Sequence, residues 1–193
     1  MIKPKTIVWD VDDVLNDLMR SWFLLWCQDH PGCAIRYEDL KENPPHEVLG
    51  ITMDAYLRSL DAFRLSASYQ HLAPIKVVRD WFLQSGARFR HIALTTVPLH
   101  TAPFSAQWVF RHFGLWIRTF HVVPSKRENE VIPEYDRDKT AVLQRLGRID
   151  FFVDDHAEHV IAAQNAGICS FSFPRPWNQS EMSVAETLAG LRA

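Results

Sequence analysis

The hydrophobic positions of this chain fall into two regimes. From Lys76 onward they switch regularly between helical and strand-like spacing. Val77, Val78, Trp81 and Phe82 form a stripe at helical spacing over Lys76 to Ser85, opened after Pro74 and closed by Gly86. Phe89 to Thr95 predicts a strand, Phe104 to Phe113 a helix stopped by Gly114, and Thr119 to Val123 a short strand. Asp138 is placed to cap a helix that runs to Leu146 and stops at Gly147. Ile149 to Val153 predicts a further strand that ends at Asp154 and Asp155. Asp155 and Glu158 have capping-box spacing for a helix running to Gly167. Cys169 to Phe173 predicts the last strand, and Ser183 with Glu186 opens a final helix after a proline-rich loop.

The first third of the chain behaves differently. Ile7-Val8-Trp9 is an apolar run that ends abruptly in Asp10, Asp12 and Asp13. From about Asn16 to Leu72 the alternation then breaks. Helix-like stretches, Asp17 to Cys27 and Met53 to Ser59, are separated by the turn-rich Pro31-Gly32 and Asn43-Pro44-Pro45, with no strong strand pattern. Strands alternating with helices predict an α/β fold with a doubly wound, mainly parallel, Rossmann-like sheet. Residues 1–15 and 73–193 would form the core, with 16–72 a small helical cap inserted after the first strand. Trp22, Phe23 and Trp26 have the spacing of residues that pack such an insertion onto the core; stacking on a nucleobase is the alternative use.

Composition narrows the function classes. A formal net charge of -2 carries no basic footprint for a nucleic-acid polymer and no polybasic tail for a membrane surface. No apolar run approaches the roughly 20 residues of a membrane span, and Met1 to Lys5 lack the apolar stretch of a signal peptide. The 3 cysteines, Cys27, Cys33 and Cys169, are odd in number and too scattered for a disulfide framework or a zinc site. A cytoplasmic protein is expected. Its oligomeric state is not written in the chain.

The candidate chemistry lies in an ordered set: Asp10 and Asp12 after the first strand, Thr95 or Thr96 after the second, Lys139 at a helix start, then Asp154 and Asp155. Burying a carboxylate without a partner is costly, so acids at the ends of apolar runs belong where a cation or a reacting group meets them. The carboxyl ends of the strands are also where open α/β sheets bind ligands. Two competing motifs fail. An EF-hand loop would need an acid or Asn at position 14 and Gly at 15, where Val14 and Leu15 stand. A response-regulator receiver would need a lone Asp at the end of its third strand, where Val123-Pro124 stand.

In this order the chain resembles the haloacid dehalogenase superfamily, whose phosphatases use Asp-x-Asp, then Thr or Ser, then Lys, then an acidic pair. The carrying motifs are Asp10-Val11-Asp12-Asp13-Val14-Leu15, Leu94-Thr95-Thr96, Arg137-Asp138-Lys139-Thr140 and Phe152-Val153-Asp154-Asp155. Within the superfamily the chain is most similar to the 5'-deoxyribonucleotidase group, through Thr95-Thr96-Val97-Pro98, the Arg-Asp-Lys-Thr run and Pro176-Trp177-Asn178.

The resemblance implies a Mg²⁺-dependent phosphomonoester hydrolase acting on a small phosphorylated metabolite, with a nucleoside monophosphate as the leading substrate. Asp10 would be the nucleophile and Asp12 the proton shuttle, with Mg²⁺ held by Asp10, Asp154 and the main-chain carbonyl of Asp12. Thr95 (with Thr96 as rival) and Lys139 would hold the phosphoryl oxygens, and Asp155 would orient Lys139 or the metal's waters. A phosphatase for a sugar phosphate is the alternative within enzymes. A phosphate-sensing or partner-binding module on the same fold is the alternative outside them. Asp13 stands where many relatives carry Gly or Asn, and reads as a surface turn. Lys126, in the charged run Lys126-Arg127-Glu128, reads as solvated, and His156 with His159 reads as a helix surface. Arg175 and Trp177 border the end of the last strand, with either substrate contact or loop ordering open to them.

Overall fold

The computed structural model describes residues 3–128 and 130–192. Five strands, β1 (Thr6–Trp9), β2 (Arg90–Val97), β3 (Ile117–Pro124), β4 (Phe151–Asp154) and β5 (Ser170–Ser172), form one sheet in the order β3-β2-β1-β4-β5. All four pairings are parallel, with Trp9 opposite Ala93 on one side and Val153 on the other. The order reverses at β1: β2 and β3 extend to one side, β4 and β5 to the other. That switch point opens a crevice at the carboxyl ends of the central strands.

Successive residues of β1 serve opposite faces, as a strand buried on both sides requires. Ile7 and Trp9 belong to a large core that includes Phe82, Trp108 and Phe113; Val8 belongs to a smaller one with Leu94, Val142 and Phe152. Helices α4 (Lys76–Ser85), α5 (Ala102–Phe113), α6 (Lys139–Leu146), α7 (Ala157–Asn165) and α8 (Val184–Gly190) complete the layers. The α4 span agrees with the sequence pattern at both ends. Asp138 caps α6 through Ala141 N–H, and Ser183 and Glu186 form a capping box at α8.

Helix α7 starts differently from the expectation. His156 is its N-cap and no side chain caps it. The Asp155 carboxylate instead accepts from Trp177 Nε1 at 2.9 Å, so the predicted Asp155–Glu158 capping box does not form.

Between β1 and β2 the chain inserts α1 (Leu18–Asp29), α2 (Met53–Leu65) and the short α3 (Ala67–Gln70). Trp22, Phe23, Trp26, Tyr56 and Phe63 join the same large core as Trp9. Trp22 is buried, donates Nε1 to Ser59 Oγ at 3.0 Å and meets Tyr56 edge-on. Trp22, Phe23 and Trp26 pack the insertion onto the core and do not line the pocket that Tyr56 reaches. Among the described residues, no helix is long and apolar enough to cross a membrane.

A buried histidine ties β1 to β2. Trp9 Nε1 can only donate, so His91 Nδ1 accepts at 3.0 Å and the ring proton resides on Nε2, which donates to the Gly86 carbonyl at 2.9 Å. Burial pushes the His91 pKa from its ordinary 6.5 down to about 4. Between these values the unfolded chain binds the proton and the folded one refuses it, so stability rises with pH across that window. The contribution is up to about 3 kcal/mol, present above pH ~6.5 and lost as the pH falls toward ~4. Urea unfolding at several pH values should show a steeper acid-side loss for the natural protein than for His91→Gln. Parallel profiles would remove His91 as the cause.

Candidate active site

Each expected residue is placed by an identifiable local element. Asp10 is the first residue beyond β1, and its N–H donates to Val153 O at 2.9 Å, which seats it between the central strands. Its Oδ1 accepts Val11 N–H at 2.7 Å, so the side chain folds back over its own turn. Asp154 ends β4, with Oδ1 accepting His156 N–H at 2.8 Å. Lys139 is the first residue of α6, aimed inward because Asp138 fixes the helix start. Its buried Nζ lies 2.8 Å from Asp10 Oδ1 and 2.7 Å from Asp154 Oδ2.

Three buried carboxylates surround this one ammonium. Asp10, Asp154 and Asp155 each offer an oxygen within 4.8 Å of the others. Burial raises the Asp10 pKa to about 6; Lys139 opposes the rise and Asp154 adds to it. Burial, then Asp10 and Asp154, hold Asp155 well above the carboxylate range. For Asp154 burial pushes upward too, but Lys139 and the His159 ring, whose Nδ1 is 3.2 Å from both its oxygens, outweigh burial and lower its pKa. Lys139 is raised, because its two carboxylate partners outweigh its desolvation.

More negative charge is gathered here than one lysine neutralises. The donor set is all oxygen, which suits a hard divalent cation such as Mg²⁺. The residues present therefore fit a metal. The side chains that fit it are those of Asp10, Asp154 and Asp155. The carboxylate of Asp12 points elsewhere, so only its main-chain carbonyl is left as the expected ligand.

Asp12 accepts from Asn16 Nδ2 at 3.0 Å and Tyr69 Oη at 2.9 Å on one oxygen, and from Arg64 Nε at 3.1 Å on the other. A pocket of about 260 Å³ opens over these groups, lined by Asp10, Asp12, Thr95, Thr96, Lys139 and Asp155 from the core and by Leu18, Met19, Tyr56, Leu60 and Arg64 from the insertion. Both threonines reach the pocket, Thr95 buried and Thr96 half-buried. Six of the seven expected residues thus share one cavity wall. The seventh, Asp154, lies behind Lys139.

Two expectations about this site need correction. Asp13 is buried, not a surface turn. Its φ of 62° places it in the left-handed region that favours Gly or Asn, and its carboxylate caps the amide of Met19 at 3.0 Å. Burial raises its pKa to about 8, against the pull of Arg175. His156 and His159 are not an exposed face: both line the pocket, and burial lowers His156 to about 4. Asp155 turns into the site and is held there by Trp177. Lys126, by contrast, is exposed and pairs with Glu134, as its charged surroundings predict.

Residues beyond the expected set also build the site. Arg175 donates to Asp13 O at 2.7 Å and Asp17 Oδ1 at 2.7 Å, and Asn178 Nδ2 to Asp155 O at 2.8 Å, so the loop after β5 buttresses both acidic turns. Arg64 and Tyr69 carry no sequence mark of their role.

No family model matches the chain, and no curated protein matches it in sequence. Solved structures do match its shape. A haloacid dehalogenase-like family hydrolase from Streptococcus pneumoniae superimposes with a TM-score of 0.58 at 10% identity, over 98% of this chain and 91% of that one. A HAD-superfamily hydrolase of subfamily IA from Geobacter sulfurreducens gives 0.54 at 14% identity, over 90% and 91%. The protein tyrosine kinase A of Mycobacterium tuberculosis gives 0.59 at 14% identity, over 95% and 93%. At these identities the likeness is one of fold: this chain has the α/β Rossmann-like fold of haloacid dehalogenase-like hydrolases. A fold hosts many reactions, so the reaction must be argued from the site.

Proposed function

We propose that this protein is a Mg²⁺-dependent phosphomonoester hydrolase that works through an aspartyl-phosphate on Asp10, with a nucleoside monophosphate as its leading substrate class. The observation that carries the reading is the cluster at the sheet's switch point: Asp10, Asp154 and Asp155 around the buried Lys139, beneath a pocket that both threonines reach. The fold shared with two structures described as hydrolases supports it.

In this mechanism the phosphoryl group sits over Asp10, with Thr95 or Thr96 and Lys139 holding its oxygens and stabilising their charge. Asp10 attacks phosphorus while Asp12 gives a proton to the departing alcohol oxygen. Asp12 then takes a proton from the water that cleaves the acyl-phosphate. A Mg²⁺ ion held by Asp10 and Asp154, with the Asp12 carbonyl and Asp155 beside it, would offset the repulsion between carboxylate and phosphoryl group. The inserted residues 16–72 act as a cap that limits water over the reacting atoms. Arg64 and Leu60 reach the pocket from it. Three free cysteines suit a cytoplasmic setting.

The test is phosphate release by purified protein with Mg²⁺ from a panel of nucleoside monophosphates and sugar phosphates. Release is expected to be fastest from a nucleoside monophosphate and lost in Asp10→Asn. Turnover confined to sugar phosphates would move the substrate class and keep the chemistry. No release above the Asp10→Asn background from any member would overturn the hydrolase. One fold neighbour is a tyrosine kinase, so an acceptor alcohol belongs in the panel to detect transfer in place of hydrolysis.

A further inference from the structure

The inserted helices put one cation inside the site. Arg64, the penultimate residue of α2, is buried, lines the pocket and donates Nε to Asp12 Oδ2 at 3.1 Å. Arg64 is held in turn. Its Nη1 lies 3.5 Å from Asp61 Oδ1, and Asp61 receives the fork of Arg127, Nε at 2.6 Å and Nη2 at 2.7 Å. Arg127 follows β3 and is anchored on Ser125 Oγ at 2.9 Å. A continuous polar chain therefore runs from the turn after β1, through α2, to the loop after β3.

Stability does not explain this chain of ions. A buried ion pair is often no more stabilising than apolar side chains of the same volume. What it does supply is direction. With Arg64 on one oxygen of Asp12 and Tyr69 with Asn16 on the other, the carboxyl plane has a single orientation. A proton shuttle needs that, because small misplacements of a catalytic group cost large factors in rate.

We propose that Arg64 is a positioning residue for Asp12, kept in place by the Asp61–Arg127 pair, so that proton delivery to the leaving group depends on the inserted helices. This inference rests on the reading of Asp12 as the shuttle. In the step it serves, a bond forms from an Asp10 carboxylate oxygen to phosphorus and the phosphorus–alkoxy oxygen bond breaks. The Asp12 carboxyl proton passes to the departing oxygen, and the resulting carboxylate stays paired with Arg64.

Leaving groups separate this role from a structural one. A nucleoside 5'-monophosphate is an alkyl ester whose alcohol needs the proton; 4-nitrophenyl phosphate releases a phenolate that does not. The quantity to compare is kcat/KM, which ends at departure of the alcohol and excludes hydrolysis of the phosphoenzyme. Arg64→Gln should lower kcat/KM for the alkyl ester by about 100-fold and for the aryl ester by less than about 3-fold. Arg64→Lys should recover part of the alkyl-ester loss. Asp61→Asn should repeat the selective pattern at about 10-fold. Asp61 lines the neighbouring groove and not this pocket, so its effect cannot come from a lost substrate contact.

Equal losses for the two esters in both variants, or a gain with the alkyl ester, would overturn the positioning role while leaving the hydrolase intact. Failure of the natural protein to hydrolyse either ester would overturn both readings. Thermal melts of each variant accompany the kinetics, and Asp61→Asn keeps the test decisive if Arg64→Gln does not fold.

Discussion

Asp10→Asn is expected to lower phosphate release by about 10⁴-fold or more while the protein stays folded. The size follows from the absence of a stand-in among the described residues. Asp154 is fully buried behind Lys139, Asp155 is tied to Trp177, and Asp12 is held by Arg64, Tyr69 and Asn16. None of these carboxylates can swing to phosphorus without breaking a buried or partly buried hydrogen bond. The fold should survive because an amide keeps the shape, and its oxygen can still accept Val11 N–H. Lys139 keeps Asp154 as its counter-charge. A stability change within about 1–2 kcal/mol is therefore expected. Steady-state phosphate release and a denaturant melt check both halves. Mass spectrometry of acid-quenched natural protein should find the phosphoryl group on the peptide that contains Asp10. A variant retaining a tenth of the activity would end the assignment of Asp10 as nucleophile.

The parts of this site that are legible in the sequence are those whose constraint is local. Ile7-Val8-Trp9 and Phe151 to Val153 read as strands because burial on both faces demands unbroken apolar runs, and an acid at the end of such a run marks the crevice. Asp138 announced Lys139 because a cap fixes the first turn of the helix that follows. Helix α2 shows where local reading stops. The stretch read as helical from Met53 to Ser59 continues to Leu65, its buried apolar stripe running on through Leu60 and Phe63. Asp61 and Arg64 look like solvent-facing charges, but both are buried against partners 52 or more residues away, Asp12 and Arg127. A buried ion pair leaves no periodicity for a single chain to display.

Asp13 and the two histidines are likewise placed by contacts that no local pattern displays. Asp13 has a hydrogen-bond partner six residues on, across the turn into α1 rather than at the usual cap spacing. His156 and His159 sit at the start of a helix whose outer residues Ala157 and Glu158 are exposed; Asp154 beneath them holds the His156 amide and the His159 ring, and Asn43 of the insertion meets the His156 ring. Residues that complete a site from distant segments are thus the ones that the sequence pattern hides, while residues that end a strand or open a helix are the ones it displays.

Lys139→Met should destabilise the metal-free protein by about 3–5 kcal/mol at neutral pH, the usual cost of stripping one partner from a buried ionic group. Methionine keeps the length and most of the volume, so the loss isolates the charge. It leaves Asp10, Asp154 and Asp155 facing one another within 4.8 Å. Two remedies are open to those carboxylates, and each gives a separate sign. The first is a proton. The Asp10 pKa, already about 6 with the lysine present, should climb further without it. The folded variant then binds more protons than the unfolded chain above pH ~4, so its stability falls as the pH rises through the folded value. The deficit relative to the natural protein should accordingly be smallest near pH 5 and largest above pH 7. The second is a divalent cation, which binds only the folded cluster and so stabilises it by mass action. Mg²⁺ should raise the melting temperature of Lys139→Met by more than it raises that of the natural protein, even though kcat/KM stays lowered by about 10²–10³-fold for want of a phosphoryl-binding cation. A deficit that neither acid nor Mg²⁺ relieves would mean that Lys139 supports α6 by packing, and that the crowding of the three aspartates is not what its charge answers.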